Sequence, residues 1–272
     1  MLEYKSKIKE KEGNKLRILA VGDIVGESGV RKLKSILPTL KKEENIDFVI
    51  TNGENSAGGM GLTEKNFKDI REAGADVITM GNHTWGKKDI FKFIDVPELL
   101  RPANYPKGVP GKGLGIYKCK DKKIAVINLM GRVDLNILTE NPFVIVKEMV
   151  ENLQGKVDII AIDFHAEATA EKIAMGRFLD GKITLLFGTH THVQTGDEQI
   201  FPNGTGYITD LGMTGPKNSV IGMDINASLK RFETTLPEKY KLAEGECIFN
   251  GVIFDIDDLT NKVIEIKRLK IE

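Results

Sequence analysis

The chain has 272 residues, with 39 Lys plus Arg against 39 Asp plus Glu, so its formal net charge at pH 7 is zero. A chain of this length can bury roughly three quarters of its unfolded surface within one large α/β domain, and balanced charge excludes a broad basic face that grips nucleic acid non-specifically. The two cysteines, Cys119 and Cys247, form no CxxC pair, which excludes a disulfide framework or a thiolate metal site and suits a reducing cytosol.

In chain order, residues 1–15, MLEYKSKIKEKEGNK, are charged throughout and lack the apolar stretch of a signal peptide. They read as an extension ahead of a single domain over 16–272. No run approaches the roughly 18 apolar residues of a membrane span, so a soluble, cytoplasmic protein is expected. LRILAVGD is the first strand-like run. The glycines that follow, at 22, 26 and 29, do not match a dinucleotide-binding G-x-G-x-x-G, and no P-loop lysine follows; a tight turn presenting Asp23 explains them better. GVRKLKSILPTLKKEEN places Val30, Leu33, Ile36, Leu37 and Leu40 on one helical face, with Pro38 expected to kink the helix or end its first half. DFVITNGEN reads as a strand. TEKNFKDIREAGA reads as a helix capped by Thr63, with Phe67, Ile70 and Ala73 on one face and Gly74 near its end.

DVITMGNH is the next strand. The stretch 96–115, with four prolines and heavy glycine content, reads as one long loop of the kind that is either functional or disordered. Its Arg101, Asn104 and Tyr105 are candidates for substrate contact or for bracing the loop. KKIAVINLMG is a strand, and NPFVIVKEMVENLQG is a helix that starts at Asn141-Pro142 and stops at Gly155. DIIAIDFHAE, ITLLFGTHTH and GYITDLGM are three further strands, and the tail from 251 forms a hairpin around DDLTNK. Near-continuous Val/Ile runs alternating with amphipathic segments describe an α/β architecture whose strands are buried on both faces. The segment 210–224 carries no titratable cluster beyond Asp210 and Asp224 and is assigned no chemistry.

The ends of the strand-like runs share one property. The first ends in Asp23, the second in Glu54-Asn55, the third in Asn82-His83, the fifth in His165, the sixth in His190 and His192. These include all four histidines of the chain, and every one is an oxygen or nitrogen donor able to bind a metal. In open α/β sheets ligands bind beyond the carboxyl ends of the strands, where such residues converge. Seven candidate ligands are too many for one tetrahedral ion and fit two ions sharing a carboxylate, as in the two-metal clamp for phosphoryl chemistry. Nitrogen and oxygen donors without thiolate suit Fe, Mn or Zn and do not select among them; Fe or Mn is the expectation, with Zn as the alternative. Trp85, next to His83, is placed to stack on a base or simply to pack.

Taken together, GD, GEN, GNH, a lone His and GTHTH resemble the ordered motif set of the calcineurin-like metallophosphoesterases. Over residues 16–270, NGENSAGG, ITMGNHTW, RPANYP, INLMGR, DFHAEAT, GTHTHVQT and GMTGP are similar to one branch, the YmdB-like phosphodiesterases. Three features depart from the wider superfamily: GDIVG lacks the usual His two residues after the Asp, Glu54 stands where Asp is common, and GNHT replaces GNHE or GNHD. The branch resembles this chain at all three. The resemblance implies a four-layer α-β-β-α sandwich of two mixed sheets with the metals at strand ends. It implies one metal on Asp23, Glu54, Asn55 and His192, a second on Glu54, Asn82, His165 and His190, and Glu54 as the bridge. It further implies that a metal-bridged hydroxide hydrolyses 2′,3′-cyclic nucleotides to 3′-nucleotides, with His83 as general acid. The rival readings are a metal-binding nucleotide or RNA sensor without turnover, and a metallophosphatase for another phosphoester. Partners are then a small phosphoester and no membrane, and a homo-oligomer is compatible with the sequence.

Overall fold

Residues 15–272 are described by the structure, a computed structural model. Of the charged extension expected over 1–15, residues 1–14 lie outside the described residues, and Lys15 opens the first strand.

Alternation of apolar side chains across strands dictates the layering. β1 (Lys15–Val21) turns Leu19 and Val21 to one face and Leu16, Ile18 and Ala20 to the other, all buried. After the short β2 (Asp23–Ile24), α1 (Gly26–Glu43) lays Val30, Leu33, Leu37 and Leu40 on the first face. The helix runs unbroken through Pro38, contrary to the expected kink or stop. A mid-helix proline costs about 3 kcal/mol, but Pro38 is exposed, so the carbonyl it leaves unbonded stays in reach of water. Burying Leu33, Leu37 and Leu40 contributes about 1.5–3 kcal/mol each and outweighs that cost.

The other elements are β3 (Phe48–Asn52), α2 (Glu64–Glu72), β4 (Val77–Thr79), β5 (Leu99–Leu100), β6 (Leu114–Cys119), β7 (Lys122–Met130), α3 (Pro142–Leu153), β8 (Ile159–His165), α4 (Thr169–Leu179), β9 (Leu185–Thr189), β10 (Gln199–Ile200), β11 (Gly206–Ile208), β12 (Met213–Pro216), α5 (Ile225–Thr234), β13 (Cys247–Asp257) and β14 (Val263–Ile271). The caps read from sequence form: the Thr63 side chain accepts from the Asn66 N–H at 3.3 Å, and Asn141 Oδ1 accepts from the Phe143 N–H at 3.0 Å. The eight-stranded sheet runs β2-β12-β13-β1-β3-β4-β5 with β14 paired on β13, and the six-stranded sheet runs β10-β11-β9-β8-β7-β6. Both are mixed, with parallel centres at β1-β3-β4-β5 and β7-β8-β9-β11.

Three apolar layers result. One lies between the first sheet and α1 with α2; a second, holding Ile18, Phe48, Ile124, Ala161, Phe187 and Phe254, lies between the sheets; the third joins the second sheet to α3 and α4. This is the α-β-β-α sandwich. Two expectations need correction. The presumed loop 96–115 contains β5 and the start of β6, and its Pro97 and Pro102 lie just outside the two strand residues, where no ladder N–H is needed. GYITDLGM is not one strand: Gly206–Ile208 belongs to the second sheet and Met213–Pro216 to the first, so the intervening residues cross between sheets at the end where the candidate ligands gather. Among the described residues no helix is long and apolar enough to cross a membrane.

Candidate metal centre

The parallel strands of both sheets point their carboxyl ends at one place. His165 is the last residue of β8, and its Nε2 lies 3.0 Å from Glu54 Oε1, 2.8 Å from Asn82 Oδ1 and 3.1 Å from His190 Nδ1. One ring nitrogen with at most one proton cannot satisfy three such neighbours at once. A second set lies beside it: His192 Nε2 is 3.0 Å from the Asn55 amide and 3.8 Å from Asp23 Oδ1. Asp23 ties the sets together by accepting from the His190 N–H at 3.1 Å, and Glu54 accepts from the His83 N–H at 2.9 Å. All eight residues singled out in the sequence therefore meet. The His83 ring stands at the edge, with Nε2 3.2 Å from the Asn82 amide nitrogen.

The chemistry of this donor set fits metal ions. Asp23, Glu54 and His165 have no exposure; Asp23 Oδ1 is buried without a hydrogen bond and Glu54 Oε1 has only the shared His165 Nε2, a state that costs folding free energy unless a cation answers it. Each imidazole is pinned from behind. His165 Nδ1 lies 2.9 Å from Thr189 Oγ1, whose hydroxyl donates to Asp163 at 2.7 Å, so Thr189 accepts from Nδ1–H and Nε2 is the nitrogen that faces inward. His192 Nδ1–H donates to the Ile221 carbonyl at 2.8 Å, and His190 Nε2 meets Glu167 at 3.0 Å. Such backing partners fix tautomer and ring direction in metal sites. Turning the Asn55 amide over presents its oxygen in place of its nitrogen, the orientation that a cation between Asn55 and His192 requires. Glu54, His165 and His190 bring ligand atoms within 4.8 Å of one another.

Electrostatics agrees. Burial opposes ionisation of Glu54, yet His165, with His83 behind it, carries the carboxyl down to about 2. Against its own desolvation, His165 is held up at about 9 by Glu54, so without a cation its proton is the counter-charge. Burial and the neighbouring His165 push His190 down to about 3, leaving it neutral, the form in which an imidazole can bind a metal. Burial raises Asp23, opposed by His192 and His165.

Local backbone geometry makes this approach feasible. His190 and His192 adopt positive φ, 99° and 64°, a conformation that non-glycine residues hold only when the surroundings enforce it. A Cβ at position 81 would collide with the His165 ring, so only the glycine there lets the chain leaving β4 end against that imidazole.

The YmdB-like protein family matches residues 19–269. The chain belongs to that family. It is 51% identical over 257 residues, 94% of this chain and 97% of the relative, to a 2′,3′-cyclic-nucleotide 2′-phosphodiesterase of Bacillus subtilis. The crystal structure of a novel phosphatase from Mycoplasma pneumoniae is 38% identical, with a TM-score of 0.90, over 95% of this chain and 94% of that one. A hypothetical protein from Thermus thermophilus superposes with a TM-score of 0.89 at 35% identity, over 94% of this chain and 98% of that one.

Other expected residues of this YmdB-like chain take structural places. Arg101 donates to the carbonyls of Pro102, Val109 and Pro110, and Asn104 bridges Met130 and Glu140. Both brace their loop. Trp85 stacks on Phe91 at 5.4 Å and leans on Tyr105 at 5.6 Å, which is packing. Sequence reasoning missed Lys172 and Asp210. The Lys172 ammonium, fully buried, donates to Asp210 Oδ2 at 2.7 Å and to the Thr189 carbonyl at 2.8 Å. Asp210 also accepts from the N–H groups of Thr191 and Gly212 at 3.1 and 2.8 Å. The segment 210–224, to which no chemistry was assigned, thus supplies the clamp of the His190 loop and the carbonyl of Ile221 behind His192. Asp163 and Glu167 flank His165 by two residues, the one available hint of their roles; Asp163 backs His165 through Thr189, and Glu167 backs His190.

Proposed function

We propose that this chain is a dinuclear-metal phosphodiesterase that opens 2′,3′-cyclic nucleotides to 3′-nucleotides. The observation that carries the reading is the three inward-facing imidazole nitrogens, each backed by a fixed partner, around two fully buried carboxylates, one of them with an unbonded oxygen on Asp23. Similarity to the Bacillus subtilis phosphodiesterase supports the substrate class. Asp23, Glu54, Asn55 and His192 would hold one metal, and Glu54, Asn82, His165 and His190 the other, with Fe or Mn the expectation and Zn the alternative, all three suiting the donor set. The bound metals would supply charge for the phosphate oxygens and an activated water.

The chain's own groups do the rest. Cleavage of the P–O2′ bond leaves an oxygen that needs a proton, and His83 stands beside Asn82 with its backbone fixed on Glu54. Burial lowers the His83 pKa while Glu54 opposes that shift, which makes its protonated form a stronger acid than free imidazolium. Asp163, Thr189 and Glu167 hold the rings so that no reorganisation is needed during reaction. The test is turnover of adenosine 2′,3′-cyclic phosphate with product identification. 3′-AMP is expected; exclusive 2′-AMP, or no turnover by metal-loaded protein, refutes the reading.

A further inference from the structure

Beside the candidate centre is a cavity of about 420 Å³ that nothing in the proposed reaction uses. His192 forms part of its wall, and so does Met213, the direct strand partner of Asp23 in the β2–β12 pairing. Lys217, Arg268 and Lys270 line it, and no Asp or Glu does. The register explains the gathering. Asn250 pairs with Lys270 and Val252 with Arg268 across β13 and β14, so Asn250, Lys270 and Arg268 share one face of the first sheet. Arg268 Nε lies 2.7 Å from Glu198 Oε2 as an ion pair and Lys217 pairs with Glu272 at 2.6 Å, whereas Lys270 makes no ion pair among the described residues. Asn250, only 6% exposed, carries a buried Oδ1 with no hydrogen bond, an acceptor that a ribose hydroxyl or an exocyclic amine would satisfy.

A cyclic mononucleotide carries its only charge on the cyclic phosphate, the group that the metals would engage. It leaves this cavity's cations, Lys270 with no ion pair among the described residues and Arg268 and Lys217 with one carboxylate each, with no group of the substrate to bind. We propose that this cavity is a subsite for a second phosphate, on the 5′ side of the ribose that bears the cyclic phosphate. Resting on the phosphodiesterase reading above, it makes the preferred substrate either a 5′-phosphorylated cyclic nucleotide or an RNA 3′ end. The volume accommodates about one nucleotide unit, and a fork of guanidinium and ammonium groups is the usual protein answer to a phosphate. The zero net charge of the chain is no obstacle, because the charge here is local.

The test compares kcat/KM of the metal-loaded protein on adenosine 2′,3′-cyclic phosphate, on the same compound with a 5′-phosphate, and on the dinucleotide that ends in the same cyclic adenosine. The two substrates with a second phosphate should be favoured about tenfold at low salt, the scale of a few part-exposed cations acting on one anion, and the advantage should shrink at high salt. Arg268→Gln with Lys270→Gln, both exposed positions, should bring the three substrates to a common kcat/KM. Preference for the 5′-phosphorylated nucleotide over the dinucleotide identifies a terminal phosphate as the ligand; equal or better use of the dinucleotide identifies RNA ends. Equal kcat/KM on all three, or an advantage that survives both substitutions, overturns the subsite and leaves the phosphodiesterase standing. No turnover of any of them overturns the activity on which it rests.

Discussion

Lys172→Met isolates what holds the His190 loop. The ammonium lies at zero exposure on α4 and donates to Asp210 and to the Thr189 carbonyl. Methionine fills much of the same volume but leaves the Asp210 carboxylate with two backbone donors and no counter-charge. Breaking a buried pair from one side costs about 3–5 kcal/mol. At about 2–4 °C per kcal/mol for a large domain, the melting temperature should fall by roughly 6–20 °C. Thr189 and Thr191 flank His190, whose φ of 99° depends on this clamp, so metal affinity should fall about 10–100-fold, as for other groups behind metal ligands. Thermal unfolding and metal titration measure both effects. The double substitution Lys172→Met with Asp210→Asn removes the stranded charge and should recover part of the lost stability. A Lys172→Met protein that melts within about 2 °C of the parent and binds metal equally well would refute the clamp.

Glu54→Gln should lower metal occupancy at both sites while His192→Ala lowers mainly one, read by elemental analysis; two ions held with undiminished affinity in Glu54→Gln would remove the bridge. His83→Ala should keep its metals and lose about 10²–10⁴-fold in turnover of cyclic nucleotide, with a smaller loss on a nitrophenyl phosphodiester, whose leaving group needs less protonation. Parent-like rates on both substrates would make His83 structural, and a metal-replete parent without turnover would favour a sensor or scaffold. In metal-free protein His165 is held up at about 9, so its stabilising contribution is whole below about pH 6.5 and is lost as pH rises through 9. His190, pushed down to about 3, contributes above about pH 6.5 and loses that contribution as pH falls toward 3. Metal-free melts should therefore be highest near pH 6.5, and metal, which replaces the proton on His165, should flatten the alkaline limb; equal alkaline slopes with and without metal would count against this.

Much of the fold was legible because doubly buried strands advertise themselves as Val/Ile runs, and because Thr63, Asn141 and Gly155 punctuate helices in the usual way. That the candidate ligands gather at one place was legible for a related reason: polar, metal-capable residues directly after parallel apolar strands converge at the strands' carboxyl ends. Pro38 misled because propensity is local, and the solvent-facing side of α1 tolerates it. The crossing within GYITDLGM was hidden because both sheets draw on the same apolar composition. Lys172 was illegible in principle. In EKIAMGRF it looks like a surface helix lysine, and its only signal is Asp210, 38 residues away. Helices α4 and α5, not named from sequence, carry weaker cues, since α4 has a buried lysine on its inner face and α5 leaves Leu229 and Phe232 exposed.

The central claim is that Glu54 lies between two ions, gathered with Asp23, Asn55 and His192 on one side and Asn82, His165 and His190 on the other. Anomalous X-ray scattering from crystals of the Mn- or Fe-loaded protein measures this directly. Two peaks about 3.5–4 Å apart on either side of the Glu54 carboxylate are expected. A single peak, or peaks away from Glu54, would contradict it.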